Sequence, residues 1–174
     1  TYYDQDAVDF EKRYWRNPIL QRIRQSFRET VKTLSFERGL EIGCGPGIDI
    51  AHFAHIFPDK KLIGIDISGE MVGHAKAKVA GKTLNNAKVF VAHTDELNTL
   101  FRDEEFDLIF VFFGALNTVP NLDDATEKIF SRLSPGGHIF VSFVNKYYLA
   151  EIFLQLLKCL SLIHISEPTR PVTI

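Results

Sequence analysis

Three glycines spaced two apart, Gly43, Gly45 and Gly47, follow the apolar run Leu40-Glu41-Ile42 and lead into the amphipathic segment Ile48–Phe57. Their chemistry follows from what glycine lacks. Without a Cβ the backbone turns tightly, takes positive φ and brings its own atoms close to a ligand. Pro46 suits the first turn of a helix, where its missing N–H costs nothing, and Asp49 suits the positive end of the helix dipole. Strand, glycine turn and helix N-terminus in that order make a ligand-binding turn. Taken alone, G-x-G-x-G also arises in ordinary strand-to-helix turns and in loose variants of the nucleotide fingerprint, so the rest of the chain decides.

The elements that must position this turn alternate regularly. Strands are predicted over Leu40–Gly43, Lys61–Asp66, Ala87–Ala92, Phe106–Phe113 and His138–Val144. Helices are predicted over Ile48–Phe57, Glu70–Lys82 and Asp123–Leu133. Phe106–Phe113 is apolar except for Asp107 and reads as a strand buried on both faces. Ser134-Pro135-Gly136-Gly137 has proline and glycine where a type II turn needs them. Such alternation implies right-handed βαβ units: an α/β, doubly wound, Rossmann-like parallel sheet with helices on both faces. Ligands of such sheets bind beyond the carboxyl ends of the strands, where the strand order reverses. Gly43–Gly47, Asp66, Thr94–Glu96 and Phe112–Asn117 all fall there. Before the sheet, Asp4–Arg16 and Pro18–Thr33 have helical apolar spacing, separated at Asn17-Pro18, where the residue before proline is pushed out of the α region.

Composition narrows the classes of function. The chain has 174 residues, 45% hydrophobic and 24% charged, enough for one domain with a substantial core. A formal net charge of −2 offers no electrostatic reason to expect a nucleic-acid or anionic-membrane partner. The basic cluster Arg13, Arg16, Arg22, Arg24, Arg28 and Lys32 reads as the solvated face of the N-terminal helices. Cys44 and Cys159 make neither a disulfide framework nor a metal-ligand spacing, which fits a reducing, cytoplasmic setting. The aromatics Tyr2, Tyr3, Phe10, Tyr14 and Trp15 crowd the N-terminal end; Phe10 and Trp15 read as core packing, and Tyr14 reads equally as packing or as a substrate contact.

Four segments taken in order resemble the successive motifs of class I S-adenosylmethionine-dependent methyltransferases. They are Glu41-Ile42-Gly43-Cys44-Gly45-Pro46-Gly47, Gly64-Ile65-Asp66-Ile67-Ser68-Gly69-Glu70-Met71, Phe106-Asp107-Leu108-Ile109 and Leu133-Ser134-Pro135-Gly136-Gly137. The resemblance runs from Gly39 to about Val144. It implies S-adenosylmethionine as cofactor, with the turn Gly43, Cys44, Gly45, Gly47 around its methionine portion and Glu41 helping to shape that turn. Asp66 would accept from the ribose hydroxyls through charge-assisted bonds. Ile67 and Met71 would cover the adenine faces.

One position departs from the family pattern, which has an acidic residue followed by a small one after the third strand. Here the chain reads Ala92-His93-Thr94-Asp95-Glu96. Two alignments fit: Thr94 takes the acidic slot with Asp95 next, or Asp95 is itself the acid that meets the adenine amino group, and Asp95 is preferred. Phe112 or Phe113 would face the sulfonium, whose charge is attracted to an aromatic face. Asn117 would orient a substrate or cap its own loop. Tyr14, Phe113 and Asn117 are the substrate-side candidates. His93, His138 and Glu96 accept protons, yet none is assigned as a catalytic base, and no metal site is expected.

The expected activity is methyl transfer to a small-molecule or lipid-like acceptor by in-line displacement. Two other readings are carried beside it. One is an NAD(P)-binding oxidoreductase, against which the third glycine comes one position early for G-x-G-x-x-G; the other is a non-catalytic cofactor-binding fragment. The expected organisation is an N-terminal helical lid over 1–36, a cofactor-binding domain over 37–159 and a tail over 160–174. Leu160–Ile174 resembles the conceptual translation of a transposon-type sequencing adapter and is set aside from fold reasoning. Tyr147–Cys159 reads as an amphipathic helix, too short and polar for the ~20 apolar residues of a membrane span. The resemblance implies two further strands after that helix, so the chain is expected to be a truncated product, and Thr1 in place of Met suggests a start other than the natural one.

Overall fold

The computed structural model describes residues 10–143. They belong to the first of two compact units, Thr1–Phe143; the second, Val144–Ile174, lies outside the described residues, as do Tyr2, Tyr3, the expected helix Tyr147–Cys159 and the tail.

Residues 10–16 are helical (α1), and α2 spans Pro18–Lys32. Asn17 separates them with extended backbone, and its side-chain oxygen accepts from the N–H groups of Ile19 and Leu20, both at 3.1 Å. Proline at the first helical position and asparagine as N-cap supply a start signal that needs no tertiary help. The alternation then unfolds as expected: β1 Arg38–Ile42, α3 Ile48–Ile56, β2 Lys61–Asp66, α4 Gly69–Gly81 and β3 Ala87–Val91. A 3₁₀ turn at Thr94–Glu96 and a short α5 at Leu97–Leu100 lead into β4 Phe106–Val111. A second 3₁₀ turn at Ala115–Thr118, α6 at Leu122–Phe130 and β5 at Leu133–Val141 complete the order.

All five strands are parallel, in the order β3-β2-β1-β4-β5. The order reverses between β1 and β4, which places the crevice of the sheet beside the glycine turn. Two apolar layers flank the sheet. Leu108 and Phe110 of β4 point toward Phe53, Val72 and Ala75, while Ile109 and Val111 point toward Leu97, Phe101 and Ile129. A strand buried on both faces must be apolar at every position, which explains the unbroken run from Leu108 to Phe112. Asp107, the polar residue of that strand, sits at its entry and accepts from the N–H groups of Glu37 and Arg38 at 2.9 and 3.0 Å, fixing the start of β1.

Three differences from the sequence reading have local causes. β4 stops at Val111 rather than Phe113, because Phe113 and Gly114 take left-handed backbone, φ +54° and +71°, and swing the chain off the ladder. β5 begins at Leu133 rather than His138. The expected Pro-Gly turn is present, with Gly136 at φ +78°, as an irregularity inside the strand: Leu133 pairs with Phe106 and His138 with Leu108. Val31 and Phe36 are buried in the same core as Phe53 and Leu108, so the end of the N-terminal segment is part of the body of the fold.

Candidate active site

The glycine turn is shaped by hydrogen bonds to β2. The N–H groups of Gly43 and Cys44 both donate to the carbonyl of Ile65, at 2.8 and 3.0 Å, and the N–H of Gly45 donates to the Asp66 carboxylate at 2.8 Å. All three glycines have positive φ, but for different reasons. A Cβ on Gly43 would stand 2.3 Å from the Cβ of Ala115, and one on Gly47 would stand 2.8 and 2.9 Å from Cβ and Cα of Ala75. A Cβ on Gly45 would meet nothing within 4 Å, and Gly45 lines the cleft. Two glycines therefore allow the turn to pack on the 3₁₀ turn after β4 and on α4. The middle one leaves a space at the ligand side.

That cleft encloses about 210 Å³ at the carboxyl ends of β1, β2, β3 and β4. Of the sequence-predicted site residues, Gly43, Gly45, Asp66, Ile67, Met71, Thr94, Phe112 and Phe113 line it, and Phe10, His93, Ala115 and Leu116 join them. Asp66 has one oxygen on the Gly45 N–H and the other on the Ser68 N–H at 2.9 Å. Each carboxylate oxygen can accept from more than one donor. Ser68 caps α4 by accepting from the Met71 N–H at 3.2 Å, which fixes where Met71 enters the cleft. Ile67, which also lines the cleft, is 42% exposed at its rim.

Other candidates stand elsewhere. Cys44 is buried in the core beside Gly64, and burial above all pushes its thiol well up, with Glu41 and Asp66 adding to the rise. Its side chain packs in the core cluster with Ile50 and Phe53. Asp95 is exposed and pairs with Lys128 Nζ at 3.0 Å; that hydrogen bond holds its carboxyl below the usual range. Thr94 is buried and lines the cleft. Glu96 closes a capping box by accepting from the His93 N–H at 2.8 Å. His93 Nδ1 accepts from the Asp95 N–H at 3.2 Å and lies 2.9 Å from Asp95 Oδ2. Asn117 is exposed on the 3₁₀ turn, its N–H donating to the Gly114 carbonyl at 2.8 Å. Trp15, expected in the core, is 58% exposed, while Phe10, read as core packing, lines the cleft. Tyr14 is buried behind the cleft wall.

Glu41 is 2% exposed and its Oε2 has no hydrogen-bond partner among the described residues. Burial is the main cause that raises its carboxyl well above the usual range; nearby Asp49 adds to this, and Arg24 and Arg28 oppose it. A carboxyl raised in the folded state favours folding below its unfolded pKa of about 4.3 and loses that contribution as pH climbs through the raised range. The neutral near-isostere Glu41→Gln is therefore expected to melt higher than the parent at pH 8, with the gap closing toward pH 4. Melting curves of both proteins across that range check it. A gap independent of pH would exclude Glu41 as the titrating group.

A charged cluster that the sequence reading missed lies under the turn. Arg24 and Arg28, expected on the solvated face, are turned inward. Asp49 at the start of α3 pairs with Arg24 Nε at 3.1 Å and with Arg28 Nε at 2.7 Å, and Arg28 Nη2 donates to the Ile48 carbonyl at 3.1 Å. Arg24 takes the place of an apolar residue in the stripe Leu20, Phe27, Val31, and that spacing was the available signal.

Comparison with known proteins agrees with this geometry. Residues 40–137, more than half of the chain, match the model of the methyltransferase domain family. A demethylmenaquinone methyltransferase of Lactobacillus johnsonii is 27% identical over 117 residues, 67% of this chain and 47% of that protein. An uncharacterized protein of Methanocaldococcus jannaschii is 32% identical over 158 residues, 90% of this chain and 56% of that one. The structure of an S-adenosylmethionine-dependent methyltransferase from Clostridium acetobutylicum superposes with a TM-score of 0.61 at 22% identity, covering 72% of this chain and 50% of its own. The fold is thus the α/β sheet of the class I S-adenosylmethionine-dependent methyltransferases. The chain belongs to that family, and it spans about half the length of the curated relatives it matches. No described helix is long and apolar enough to cross a membrane.

Proposed function

We propose that this chain holds S-adenosylmethionine in the cleft between β1 and β4 and serves methyl transfer to a small-molecule or lipid-like acceptor. The observation that carries the reading is the pairing, at the switch point of the sheet, of the open space beside Gly45 with the Asp66 carboxylate at the end of β2. The residues present fit the cofactor: a glycine turn that admits a chain where a Cβ would stand, a carboxylate for two hydroxyls, and apolar Ile67 and Met71 for a flat ring.

When bound, the cofactor supplies an electrophilic methyl group on sulfonium, which an acceptor atom takes by in-line displacement with S-adenosylhomocysteine as the leaving product. The chain's own residues bind and orient. Asp66 keeps Gly45 and Ser68 in register while accepting the ribose hydroxyls, so one side chain shapes the turn and reads the ligand. Ile67 and Met71 grip the adenine from the β2–α4 side, and Thr94 and His93 border its edge. Phe113 and Phe10 wall the acceptor end with apolar surface that excludes water. Holding acceptor and methyl carbon close and collinear accounts for most of the rate such a site supplies. Asp66 and His93 are the titratable residues among those described that line the cleft, and neither needs a proton-transfer role in this scheme. The apolar wall favours an uncharged, ring-bearing or lipid-like acceptor, and the L. johnsonii relative is named for such a compound.

Titration calorimetry with S-adenosylhomocysteine and, separately, NADH tests the reading. Binding of the first and not the second is expected. Asp66→Ala should weaken S-adenosylhomocysteine binding by roughly 1.5–3 kcal/mol, about ten- to a hundredfold, with the far-ultraviolet circular dichroism unchanged. Equal affinity of mutant and parent would remove Asp66 from the site, and binding of NADH alone would replace the methyltransferase reading with the oxidoreductase one.

A further inference from the structure

We propose that Arg24 is a positioning residue for the cleft wall: anchored on Asp49, its guanidinium holds the Phe113 ring against the cleft and fastens helix α1 to that wall through Tyr14. The inference rests on the cleft being the cofactor and acceptor site.

Arg24 is 5% exposed, in a place where the stripe of α2 calls for an apolar side chain. A buried guanidinium needs hydrogen-bond partners, and this one is short of them. Its Nη1 has none among the described residues, and its Nε, 3.1 Å from Asp49 Oδ2, lacks hydrogen-bond alignment. What replaces them is aromatic. The guanidinium carbon lies 4.1 Å from the centroid of Tyr14 and 4.6 Å from that of Phe113, so each ring offers its negative face to the cation. A desolvated, flat cation held between rings is a task for arginine and not for lysine, whose charge is compact and strongly hydrated.

The three groups joined by this cation belong to three parts of the site. Asp49 sits in the first turn of α3, immediately after the glycine turn, and Arg28 holds its other oxygen at 2.7 Å. Tyr14 belongs to α1, the helix that brings Phe10 to the cleft and is also tied to α4 by an ion pair between Glu11 and Lys78. Phe113 lines the cleft from a backbone with φ +54°, a conformation that a bulky residue keeps only when its surroundings enforce it. Phe27 of α2 leans on the same ring, with centroids 5.5 Å apart. Arg24 itself does not line the cleft. It acts through Phe113.

Two measurements on the whole 174-residue chain test this. In the ligand-free protein the Arg24 side-chain proton resonances should lie upfield, from the ring currents of the two aromatics, and should move back in Phe113→Leu. If Phe113→Leu leaves them in place, the clamp is overturned whatever the cleft binds. S-adenosylhomocysteine affinity is then measured for the parent, Arg24→Lys, Phe113→Leu and the double variant. Arg24→Lys keeps the charge opposite Asp49 and is expected to melt cooperatively while losing about three- to tenfold in affinity. Phe113→Leu should lose a similar factor and the double variant no more than the worse single one, the non-additivity of residues that act as a unit. Multiplying losses, or parental affinity in Arg24→Lys, would overturn the positioning role. A parent that shows the ring-current signature but binds no S-adenosylhomocysteine would instead defeat the cofactor reading.

Discussion

Asp49→Ala is expected to destabilise the domain by about 3–5 kcal/mol, the cost of leaving buried cations without their counter-ion. The side chain of Asp49 is 4% exposed, and those of Arg24 and Arg28 are 6% and 13% exposed. Two guanidinium groups would then face each other and a carboxyl, Glu41, that burial already discourages from ionising. Water reaches Arg28 more easily than Arg24, so the loss falls mainly on Arg24. Asp49 also sits at the N-terminus of α3, where a negative charge complements the helix dipole, a smaller contribution of about 0.3–1 kcal/mol. Urea unfolding of the parent, Asp49→Asn and Asp49→Ala measures the loss; the asparagine variant keeps the shape and isolates the charge. A loss below about 1 kcal/mol in both would mean that the pairs behave as surface ion pairs do.

The same cluster depends on tertiary contacts that no sequence pattern carries. Glycine spacing and the strand–helix rhythm mark the turn, Asp66 and the wall after β4 at the ends of strands, whereas Met71 enters only through the family resemblance; period and punctuation are properties of the chain alone. Whether a charged residue on a helix faces water is not. Arg24 and Arg28 sit among Arg22 and Lys32 in a segment whose charges look solvated, and only the tertiary placement of Asp49, far along the chain, turns the two inward. Asp95 and Thr94 illustrate the same limit within a turn. Adjacent residues there point in different directions, and the 3₁₀ geometry, capped by the His93 ring, buries Thr94 and leaves Asp95 to meet Lys128. Trp15 and Phe10 reverse roles likewise: aromatic density says that something is covered, and the helix phase relative to the cleft decides which ring covers it.

Gly43→Ala is expected to destabilise the fold and to abolish cofactor binding, in contrast to Gly45→Ala, which should lose binding with a much smaller loss of stability. Both positions have left-handed backbone, φ +72° and +52°, which costs an L-residue roughly 1–2 kcal/mol. Beyond that they differ. A methyl group on Gly43 would stand 2.3 Å from the Cβ of Ala115, inside contact distance, and overpacking of this kind adds about 1–3 kcal/mol. The clash is relieved only if the 3₁₀ turn Ala115–Thr118 withdraws or β1 shifts, and Gly114, Ala115 and Leu116 of that region line the cleft with Gly43. The closeness of these two segments marks the switch point itself, where the turns after β1 and β4 meet. At Gly45 the methyl group meets no protein atom within 4 Å and projects into the space assigned to the ligand. Thermal melts of the two variants, read beside S-adenosylhomocysteine titrations, separate the cases. Gly43→Ala should fall in both measurements, by about 2–5 kcal/mol in stability, and Gly45→Ala chiefly in the second. A Gly45→Ala protein that binds as the parent does would show that the ligand takes another path past the turn.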